Sequence, residues 1–340
     1  MCPQELMASA AYAQGSHRDR ITRALARRFR AACFEITGPI SVRDNSQVFR
    51  AYVATDPPRD LAVKSCLLPH SATPDRRSTA EQYAALTRLH GTFTQGRQGH
   101  VPEPVFVDEE GGIFGMSWIE GISLTSLMRQ AVVLTRGAQA FEAVGAWLGT
   151  FHSLGPLREE VYGFGERLAA LDEFARSVPP QAHIATAARF LIRTAPGLAE
   201  HRMSTSWLHG DCKTDNFLLQ GSEVFGIDIS LRHENAIEHD LAQFLNNVEL
   251  AFLDPRCVHL VAARSTLKSA FWRGYSRTGP GVCETFLYWM RLYTALSLWH
   301  STLGLRKRGR VRSWYLNRGF ARLARRLERW LAHRVSGLDG

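Results

Sequence analysis

The sequence predicts an α+β fold, with an antiparallel sheet in its N-terminal part and helices in most of the remainder. Short runs of β-branched and aromatic residues, separated by turn residues, are concentrated between residues 35 and 118. After Gly121 the apolar residues recur mostly at helical spacing, apart from two short strand-like runs near residues 217 and 225. Strands followed by helices along the chain are typical of this class.

The elements of the N-terminal part can be predicted one by one. In chain order they are an amphipathic helix within 17–34, strands at 48–54 and 61–64, a helix at 78–93, and strands at 104–108 and 113–118. We expect a basic extension over 1–34, a five-stranded antiparallel lobe with one helix over 35–119, and a helical lobe over 120–340.

Composition limits the classes of protein that fit. With 340 residues, 45% of them hydrophobic, the chain can bury a sizeable core in two lobes. The net charge of +9 comes from residues 17–30 (+5) and 301–340 (+9), so the rest sums to about −5. Specific nucleic-acid binding is therefore not expected. The excess of arginine over lysine indicates a GC-rich, bacterial coding sequence.

Cysteine usage and the N-terminus indicate a cytoplasmic protein. The six cysteines are scattered and form no C-x-x-C pair, so neither a zinc site nor a disulfide framework is predicted. The N-terminus has no apolar signal segment. The most apolar long stretch, 286–305, contains Arg291 and His300 and is predicted to be a buried helix.

Residues 209–228 carry the strongest functional signal. They read His-Gly-Asp-Cys-Lys-Thr-Asp-Asn-Phe-Leu-Leu, then a polar turn, then Val-Phe-Gly-Ile-Asp. Asp211 and Asn216 stand five apart in a loop that leads into an apolar strand, and Asp228 ends a second strand. Phosphoryl transfer needs such a set, because one carboxylate orients the attacking hydroxyl while an amide oxygen and a second carboxylate hold Mg²⁺.

This stretch resembles the catalytic loop of the kinase superfamily, which reads H-R-D-x-x-x-x-N in protein kinases. Gly210 in place of Arg is the form found in aminoglycoside phosphotransferases, choline kinases and homoserine kinases. The resemblance implies a protein-kinase-like bilobal fold, with a small antiparallel-sheet N-lobe and a mostly helical C-lobe. It also implies a small-molecule kinase that uses ATP and Mg²⁺.

The same resemblance assigns roles within the predicted catalytic loop, 207–230. Asp211 would be the catalytic base, and Asn216 and Asp228 would ligate Mg²⁺. Lys213 would neutralise charge on the transferred phosphoryl group. His209 is expected to be a structural hydrogen-bonding residue beneath the loop.

The resemblance also places nucleotide-binding residues in the N-lobe. Lys64 ends an Ala-Val-Lys strand like the V-A-I-K strand of kinases, whose lysine meets the α- and β-phosphates. Its expected ion-pair partner is Glu81 on the following helix. Backbone groups of Ser117 and Ile119 would hold the adenine edge.

The phosphate loop departs from the family pattern, because the G-x-G-x-x-G motif is absent. The polar turn that contains Asn45 and Ser46 is therefore the expected phosphate contact. This departure leaves open a catalytically inactive, nucleotide-binding regulator. The intact residues Asp211, Asn216 and Asp228 favour an active enzyme instead.

Two further matches are predicted to support the loop. The helix over 144–152 ends in the family's Leu-x-x-x-His pattern, and His152 is expected to pack rather than to react. Asp240 begins an Asp-Leu-Ala segment and is expected to cap its helix and brace the catalytic loop.

The acceptor is predicted to be a hydroxyl of a small molecule of the aminoglycoside, amino alcohol or sugar type. Eleven residues separate Asp228 from Asp240, and no Ala-Pro-Glu segment follows, so a peptide-binding platform is not expected. Glu234, Glu238 and Glu249 would either meet a cationic acceptor or be solvated surface charges.

The basic C-terminal helix, predicted over 312–335, has two main interpretations, besides nucleic-acid binding by its arginines. Its apolar stripe consists of Leu316, Phe320, Leu323, Leu327, Trp330 and Leu331, and arginines surround it. The stripe either packs on the C-lobe or makes peripheral contact with an anionic membrane. The second interpretation would allow a membrane-associated sugar or glycolipid as substrate.

Overall fold

A computed structural model describes residues 17–30, 33–43, 45–93, 99–130, 132–179, 182–231, 234–252, 254–303 and 310–335. The described residues group into two compact units. Unit 1 comprises those up to Gly121 together with Phe225–Leu231. Unit 2 comprises those of Ile122–Val224 and those from Arg232 onward.

Unit 1 contains a five-stranded sheet in the order β1-β2-β3-β5-β4, and its neighbouring strands are antiparallel. Its elements are helix α1 at 17–28, β1 (Phe34–Val42), β2 (Ser46–Val53), β3 (Arg59–Cys66), α2 (Arg76–Phe93), β4 (Pro104–Asp108) and β5 (Ile113–Ser117). Strand β3 is central and is buried from Leu61 to Cys66, as its apolar run predicts. The predicted fold class is confirmed, with an antiparallel sheet here and helices predominating in unit 2.

Helix α1 is part of the unit 1 core. Ile21 and Leu25 are fully buried and belong to one cluster with Phe49, Val63 and Ile113. Residues 1–34 were expected to be an extension of the N-lobe, but the apolar face of α1 packs against the sheet.

Strand β1 lies outside the strands predicted from sequence. It is an edge strand and is mostly exposed, and its register with β2 shifts between Thr37 and Ser41. Gly38, with φ of +107°, and Pro39 interrupt the alternation of apolar and polar residues that identifies a strand. An exposed edge strand carries little of the hydrophobic pattern on which sequence prediction depends.

Unit 2 is mostly helical. The remaining elements, in chain order, are β6 (Ile122–Ser123), α3 (Leu124–Met128), α4 (Val133–Leu154), β7 (Arg158–Val161), α5 (Gly165–Ser177), α6 (His183–Thr194), β8 (Arg202–Trp207), β9 (Phe217–Gln220), β10 (Glu223–Gly226), β11 (Glu234–Ala236), α7 (Glu238–Ala251), α8 (Arg264–Thr278), α9 (Glu284–Leu303) and α10 (Arg310–Val335). Strand β8 pairs with β7 and β11, and β9 pairs with β6. Among the described helices, none combines the length and apolar character needed to span a bilayer.

The apolar stripe of α10 is buried in unit 2. Phe320, Leu323, Leu327 and Leu331 are each at most 5% exposed, and Trp330 stacks on Tyr288 of α9 with 3.4 Å between ring centroids. The side chain of Leu316, also assigned to the stripe, lies outside the described residues. The burial favours the packing interpretation of this helix.

The backbones of helices α4 and α8 lie close together where each helix has a glycine. A Cβ at Gly145 would meet the carbonyl oxygen of Phe271, and one at Gly274 would meet that of Glu142. Because the obstacles are backbone atoms of the facing helix, the helices would have to separate to admit a methyl group.

We expect Gly274→Ala to lower the free energy of unfolding by about 1–3 kcal/mol, the usual cost of overpacking. Urea denaturation of the purified variant measures this change. Gly163→Ala is the matched control, because a Cβ there would have no neighbour within 4 Å. Equal stability of the two variants would contradict close packing of α4 on α8.

Candidate active site

In unit 2, the loop between β8 and β9 brings three of the predicted catalytic residues together. The Asn216 side-chain amide donates to the Asp211 carbonyl at 2.7 Å and to Asp211 Oδ2 at 3.1 Å. Lys213 Nζ donates to the same Oδ2 at 2.6 Å. A 3-10 turn over Thr214–Asn216 makes these contacts possible, because it folds Asn216 back toward Asp211. The Asp211 carboxylate is thus fixed by one cation and one amide.

The backbone of this loop is held by side chains of helix α7. His209 N and Gly210 N donate to the two carboxylate oxygens of Asp240, at 2.5 and 3.1 Å. Further along, Cys212 N donates to Gln243 Oε1 and Thr214 N donates to Asn247 Oδ1. Gly210 has a φ of +82°, a conformation that favours glycine, and this accounts for glycine in the His-Gly-Asp triplet.

Asp240 braces the loop as predicted, but it does not cap its helix. Ile237 occupies the N-cap position and makes no side-chain capping bond, while Asp240 lies in the first turn with its carboxylate directed to the loop. The predicted capping role is therefore wrong. His152 Nε2 also contacts Asp240, at 3.3 Å, and His152 Nδ1 contacts the Tyr275 hydroxyl, so His152 packs beneath the loop.

The pKa of Asp240 lies below its ordinary value although the residue is fully buried. Burial alone would raise the pKa, but the hydrogen bond with His152 lowers it, and so do the electrostatic interactions with His152 and His209 and the backbone amide of His209. Asp240 is therefore a carboxylate at neutral pH, and its hydrogen bonds to the two loop amides are charge-assisted.

In unit 1, two cations hold the predicted metal ligand Asp228. Lys64 Nζ pairs with Asp228 Oδ1, and Arg43 Nη2 contacts Asp228 Oδ2 at 2.8 Å. Asp228 has a φ of +63°, in the left-handed region that few residues other than glycine adopt. Such a backbone is found where the surrounding structure enforces it, often at functional sites.

The predicted pairing of Lys64 with Glu81 is wrong. Lys64 Nζ donates to Gln82 Oε1 at 2.8 Å, one residue further along α2. Glu81 accepts from Arg77 at 2.7 Å in an i,i+4 pair on the helix surface. One residue corresponds to about 100° of helix rotation, which turns Glu81 away from Lys64.

The turn between β1 and β2 is closed by backbone hydrogen bonds. Arg43 N donates to the Ser46 carbonyl across the turn, and the Asn45 carbonyl accepts from Leu67 N just after β3, so the backbone at both predicted phosphate-contact residues is held by hydrogen bonds. Arg43, which sequence reasoning missed, extends from this turn to Asp228. In the sequence, only its position two residues before Asn45 could have indicated that Arg43 lies near the predicted phosphate contact.

Two further features of unit 1 concern the predicted nucleotide site. Ser117 N donates to the Glu103 carbonyl, and the Ile119 carbonyl accepts from Gly121 N. A contact of Ser117 or Ile119 with adenine remains a prediction. A cavity of about 30 Å³ lies beside Lys64 and Asp228 and is lined also by Phe114 and Met116.

The segment Phe225–Leu231, expected in the C-lobe, belongs to unit 1. Phe225 forms a parallel bridge with His100, and Gly226 N donates to the His100 carbonyl at 3.0 Å. Together with the pair between Lys64 and Asp228, these contacts explain why the segment groups with the sheet of unit 1.

The side chains of Asn216 and Asp228 are compatible with Mg²⁺. The hydrogen bonds of Asn216 use its amide nitrogen, which leaves the amide oxygen as a hard ligand, and Asp228 supplies carboxylate oxygens. Within the described ranges no three His, Cys, Asp or Glu side chains form a cluster that could hold a metal. Each of these two side chains is by itself a suitable oxygen ligand for Mg²⁺, which commonly keeps waters and substrate phosphates as its other ligands.

Comparison with known families agrees with this geometry. The model of the phosphotransferase enzyme family matches residues 40–228, more than half of the chain. The chain belongs to the phosphotransferase enzyme family. The matched range includes Lys64, Asp211, Asn216 and Asp228. None of the curated proteins compared with this phosphotransferase is similar to it in sequence.

Solved structures share the fold of this phosphotransferase at low sequence identity. A choline/ethanolamine kinase family protein from Mesorhizobium loti is 16% identical, with a TM-score of 0.59 and coverage of 94% of this chain and 99% of that one. An amicoumacin kinase solved with AMP-PNP and Ca²⁺ is 14% identical, with a TM-score of 0.58 and 96% of both chains covered. A glucosamine kinase solved with glucosamine and ADP is 15% identical, with a TM-score of 0.58 and coverage of 93% and 85%.

The three candidate acceptor carboxylates of the phosphotransferase have different surroundings. Glu234 is exposed and lies 3.6 Å from Arg158, as a surface charge would. Glu249 is buried and accepts hydrogen bonds from Arg264, Lys268 and Arg326, so its charge is already neutralised. Glu238 is fully buried, which rules out the surface-charge interpretation for it as well as for Glu249.

Burial raises the pKa of Glu238 to about 7. Its Oε1 accepts from Cys283 N at 3.0 Å, whereas Oε2 has no hydrogen-bond partner among the described residues. In an unfolded chain the pKa would be near 4.5. Because the folded-state pKa is the higher one, the unfolded state loses its proton first as pH rises.

Ionisation of Glu238 should therefore destabilise the phosphotransferase as pH rises from about 4.5 to about 7. We expect Glu238→Gln to match the wild type near pH 4.5 and to be more stable at pH 8, by roughly 3 kcal/mol. Urea unfolding at several pH values measures the difference. Glu234→Gln should leave the pH profile unchanged, and a pH-independent effect of Glu238→Gln would contradict the assignment.

Proposed function

We propose that the protein is an ATP- and Mg²⁺-dependent O-phosphotransferase that acts on a hydroxyl group of a small molecule of the aminoglycoside, amino alcohol or sugar type. The observation that carries the proposal is the Asp211 carboxylate, held by Lys213 and Asn216 on a loop that is itself fixed to α7. A positioned carboxylate of this kind is the group that phosphoryl transfer to an alcohol requires.

In the proposed reaction, Asp211 orients the acceptor hydroxyl and accepts its proton. The acceptor oxygen forms a bond to the γ-phosphorus of ATP while the bond from that phosphorus to the bridging oxygen breaks, and ADP leaves. Lys213 lies beside the Asp211 carboxylate and would stabilise negative charge on the transferred group. Positioning and charge stabilisation account for most of the rate enhancement in such reactions.

The proposed nucleotide contacts come from unit 1. Lys64 and Arg43 are the cations that would meet phosphate oxygens, and Asn45 and Ser46 would offer backbone and side-chain donors. Ser117 and Ile119 would hold the adenine edge. The amicoumacin kinase with AMP-PNP and the glucosamine kinase with ADP support a nucleotide as the donor, since both share this fold.

Asn216 and Asp228 are the proposed oxygen ligands of Mg²⁺. When bound, Mg²⁺ neutralises phosphate charge and aligns the transferred group. The contacts of Asp228 with Lys64 and Arg43 hold its carboxylate in place. Carboxylate oxygens are ligands that a hard cation such as Mg²⁺ prefers.

A screen that couples ADP formation to a spectroscopic signal tests the proposal. Purified protein is incubated with ATP, Mg²⁺ and one candidate acceptor at a time from aminoglycosides, amino alcohols, free sugars and glycolipid cores. We expect ADP formation that depends on the acceptor, with a phosphorylated hydroxyl identified by mass spectrometry. ATP hydrolysis at one rate with every acceptor and with none, or nucleotide binding without turnover, would instead favour the inactive regulator.

A further inference from the structure

We propose that unit 2 carries a second ligand site, an anion-binding cavity on the face of α7 opposite the catalytic loop. The cavity has a volume of about 290 Å³ and is lined by α7, α8, α9 and the segment before α9. Most of its wall is formed by apolar and aromatic side chains and by two cations, namely Leu245, Trp272, Leu287, Tyr288, Lys268 and Arg291.

The periodicity of α7 separates this cavity from the catalytic loop. The three side chains that hold the loop, Asp240, Gln243 and Asn247, share one helix face. Leu245, in the cavity wall, and Glu249 lie about 150–170° around the axis from that face, at 100° per residue. A helix with its side chains is about 10–12 Å across, so the two sites are on opposite sides of α7.

Positive charge exceeds negative charge beside the cavity. Glu249 is the shared partner of Arg264, Lys268 and Arg326, and Arg291 Nη2 lies 3.9 Å from Glu249 Oε1. Four cations therefore surround one carboxylate. One buried carboxylate paired with one cation would be an ordinary structural ion pair. Here four cations and one carboxylate leave an excess of three positive charges.

The carboxylate of Glu284, which lines the cavity, does not remove this excess. Glu284 pairs with Arg334 at 3.2 Å, and both side chains are more than half exposed. This pair is neutral, and the other charged side chains that line the cavity are Lys268 and Arg291.

Arg291 is a buried cation that lines the cavity. The residue is 1% exposed, and its Nε donates to Asn246 Oδ1 at 3.2 Å. Its Nη2 has no hydrogen-bond acceptor among the described residues. A buried guanidinium with an incomplete set of acceptors is costly, and a bound anion would offset that cost through its charge.

The direction of the Lys268 pKa shift agrees with an anion site. Burial lowers this pKa, the Glu249 charge raises it in part, and the neighbouring Arg291 charge lowers it again. A bound anion would stabilise the ammonium form of Lys268 and would compensate the charge of Arg291.

The shape and lining of the cavity define the ligand class. A volume of about 290 Å³ lies at the lower end of small-molecule sites, roughly 300–1,000 Å³, and suits a compound of monosaccharide or amino-acid size. The side chains of Trp272 and Tyr288 provide flat apolar surfaces. We therefore assign to the site a small organic anion that combines a phosphate or carboxylate group with a ring.

Calorimetric titration of the full-length protein without nucleotide tests this assignment. The probes are phenyl phosphate, benzoate, inorganic phosphate and uncharged phenol. We expect phenyl phosphate or benzoate to bind more tightly than inorganic phosphate or phenol, and the tighter of the two identifies the preferred anionic group. Lys268→Met should weaken that binding about tenfold or more, since a hydrogen bond to a charged group contributes roughly 1.5–3 kcal/mol.

Three variants make the test decisive. Arg277→Met is the matched control on α8, because Arg277 is exposed and pairs with Glu142, and it should bind the probe as the wild type does. Arg291→Met should weaken binding as Lys268→Met does.

The proposal is overturned if no saturable binding is found in the millimolar range, or if wild type and Lys268→Met bind the probe equally. It is also overturned if Lys64→Met loses binding, because that would place the probe in unit 1. Because the assay contains no ATP, its result is independent of turnover.

Discussion

Asp211→Asn should lower kcat by about 10²–10⁴-fold with the best acceptor, because the substitution removes the proposed proton acceptor while preserving side-chain shape. Asparagine also loses the negative charge that Lys213 contacts at 2.6 Å. The acceptor KM should change much less than kcat, since the carboxylate acts chiefly as the proton leaves the hydroxyl. Steady-state kinetics of ADP formation measure both constants.

Asp215→Asn is the matched control for this prediction. Asp215 is exposed, lies four residues further along the same loop, and belongs to the 3-10 turn that folds Asn216 back. We expect it to retain nearly full activity. Similar losses in the two variants would mean that the loop tolerates no change of charge, and Asp211 would lose its assigned role as the base.

Asp240→Ala should lower the free energy of unfolding by about 3–5 kcal/mol, the cost of removing one partner from a buried charged network. The substitution leaves His209 N and Gly210 N without their acceptor and removes the partner of His152 Nε2. Turnover should fall as well, because these amides directly precede Asp211. Urea denaturation and ADP formation measure the two effects.

Asp172→Ala controls for the loss of a carboxylate as such. Asp172 pairs with Arg176 on the surface of α5, where an i,i+4 pair contributes about 0.2–0.5 kcal/mol. If Asp240→Ala is too unstable to purify, Asp240→Asn keeps one acceptor oxygen and should show a smaller loss in the same direction. Stabilities of Asp240→Ala and Asp172→Ala that agree within error would contradict the bracing role.

The catalytic loop could be predicted from sequence because its function depends on residue identity at fixed spacing. Asp211, Lys213 and Asn216 lie within six residues, so local backbone geometry alone brings them together. Asp240 was also identifiable, since its segment matches a family pattern. Its contact with the loop was predicted correctly and its capping role was not, because the sequence does not distinguish an aspartate at a helix N-cap from one in the first turn.

Contacts between distant segments were harder to predict. Lys64 contacts Gln82 on α2 and not the adjacent Glu81. The sequence did contain a sign of this, because Arg77 stands four residues before Glu81 and pairs with it. The cluster around Glu249 joins four helices, α7 to α10, and no local pattern encodes it. The sequence analysis left Glu249 as either an acceptor contact or a surface charge, whereas four cations surround it.

The attachment of the catalytic loop to α7 also determines when its conformational entropy is lost. Four backbone amides between His209 and Thr214 end on side chains of one helix, so the loop becomes ordered when that helix packs during folding. In the proposed reaction an acceptor at Asp211 would therefore bind to a pre-organised backbone, and its affinity would not be reduced by the cost of ordering the loop.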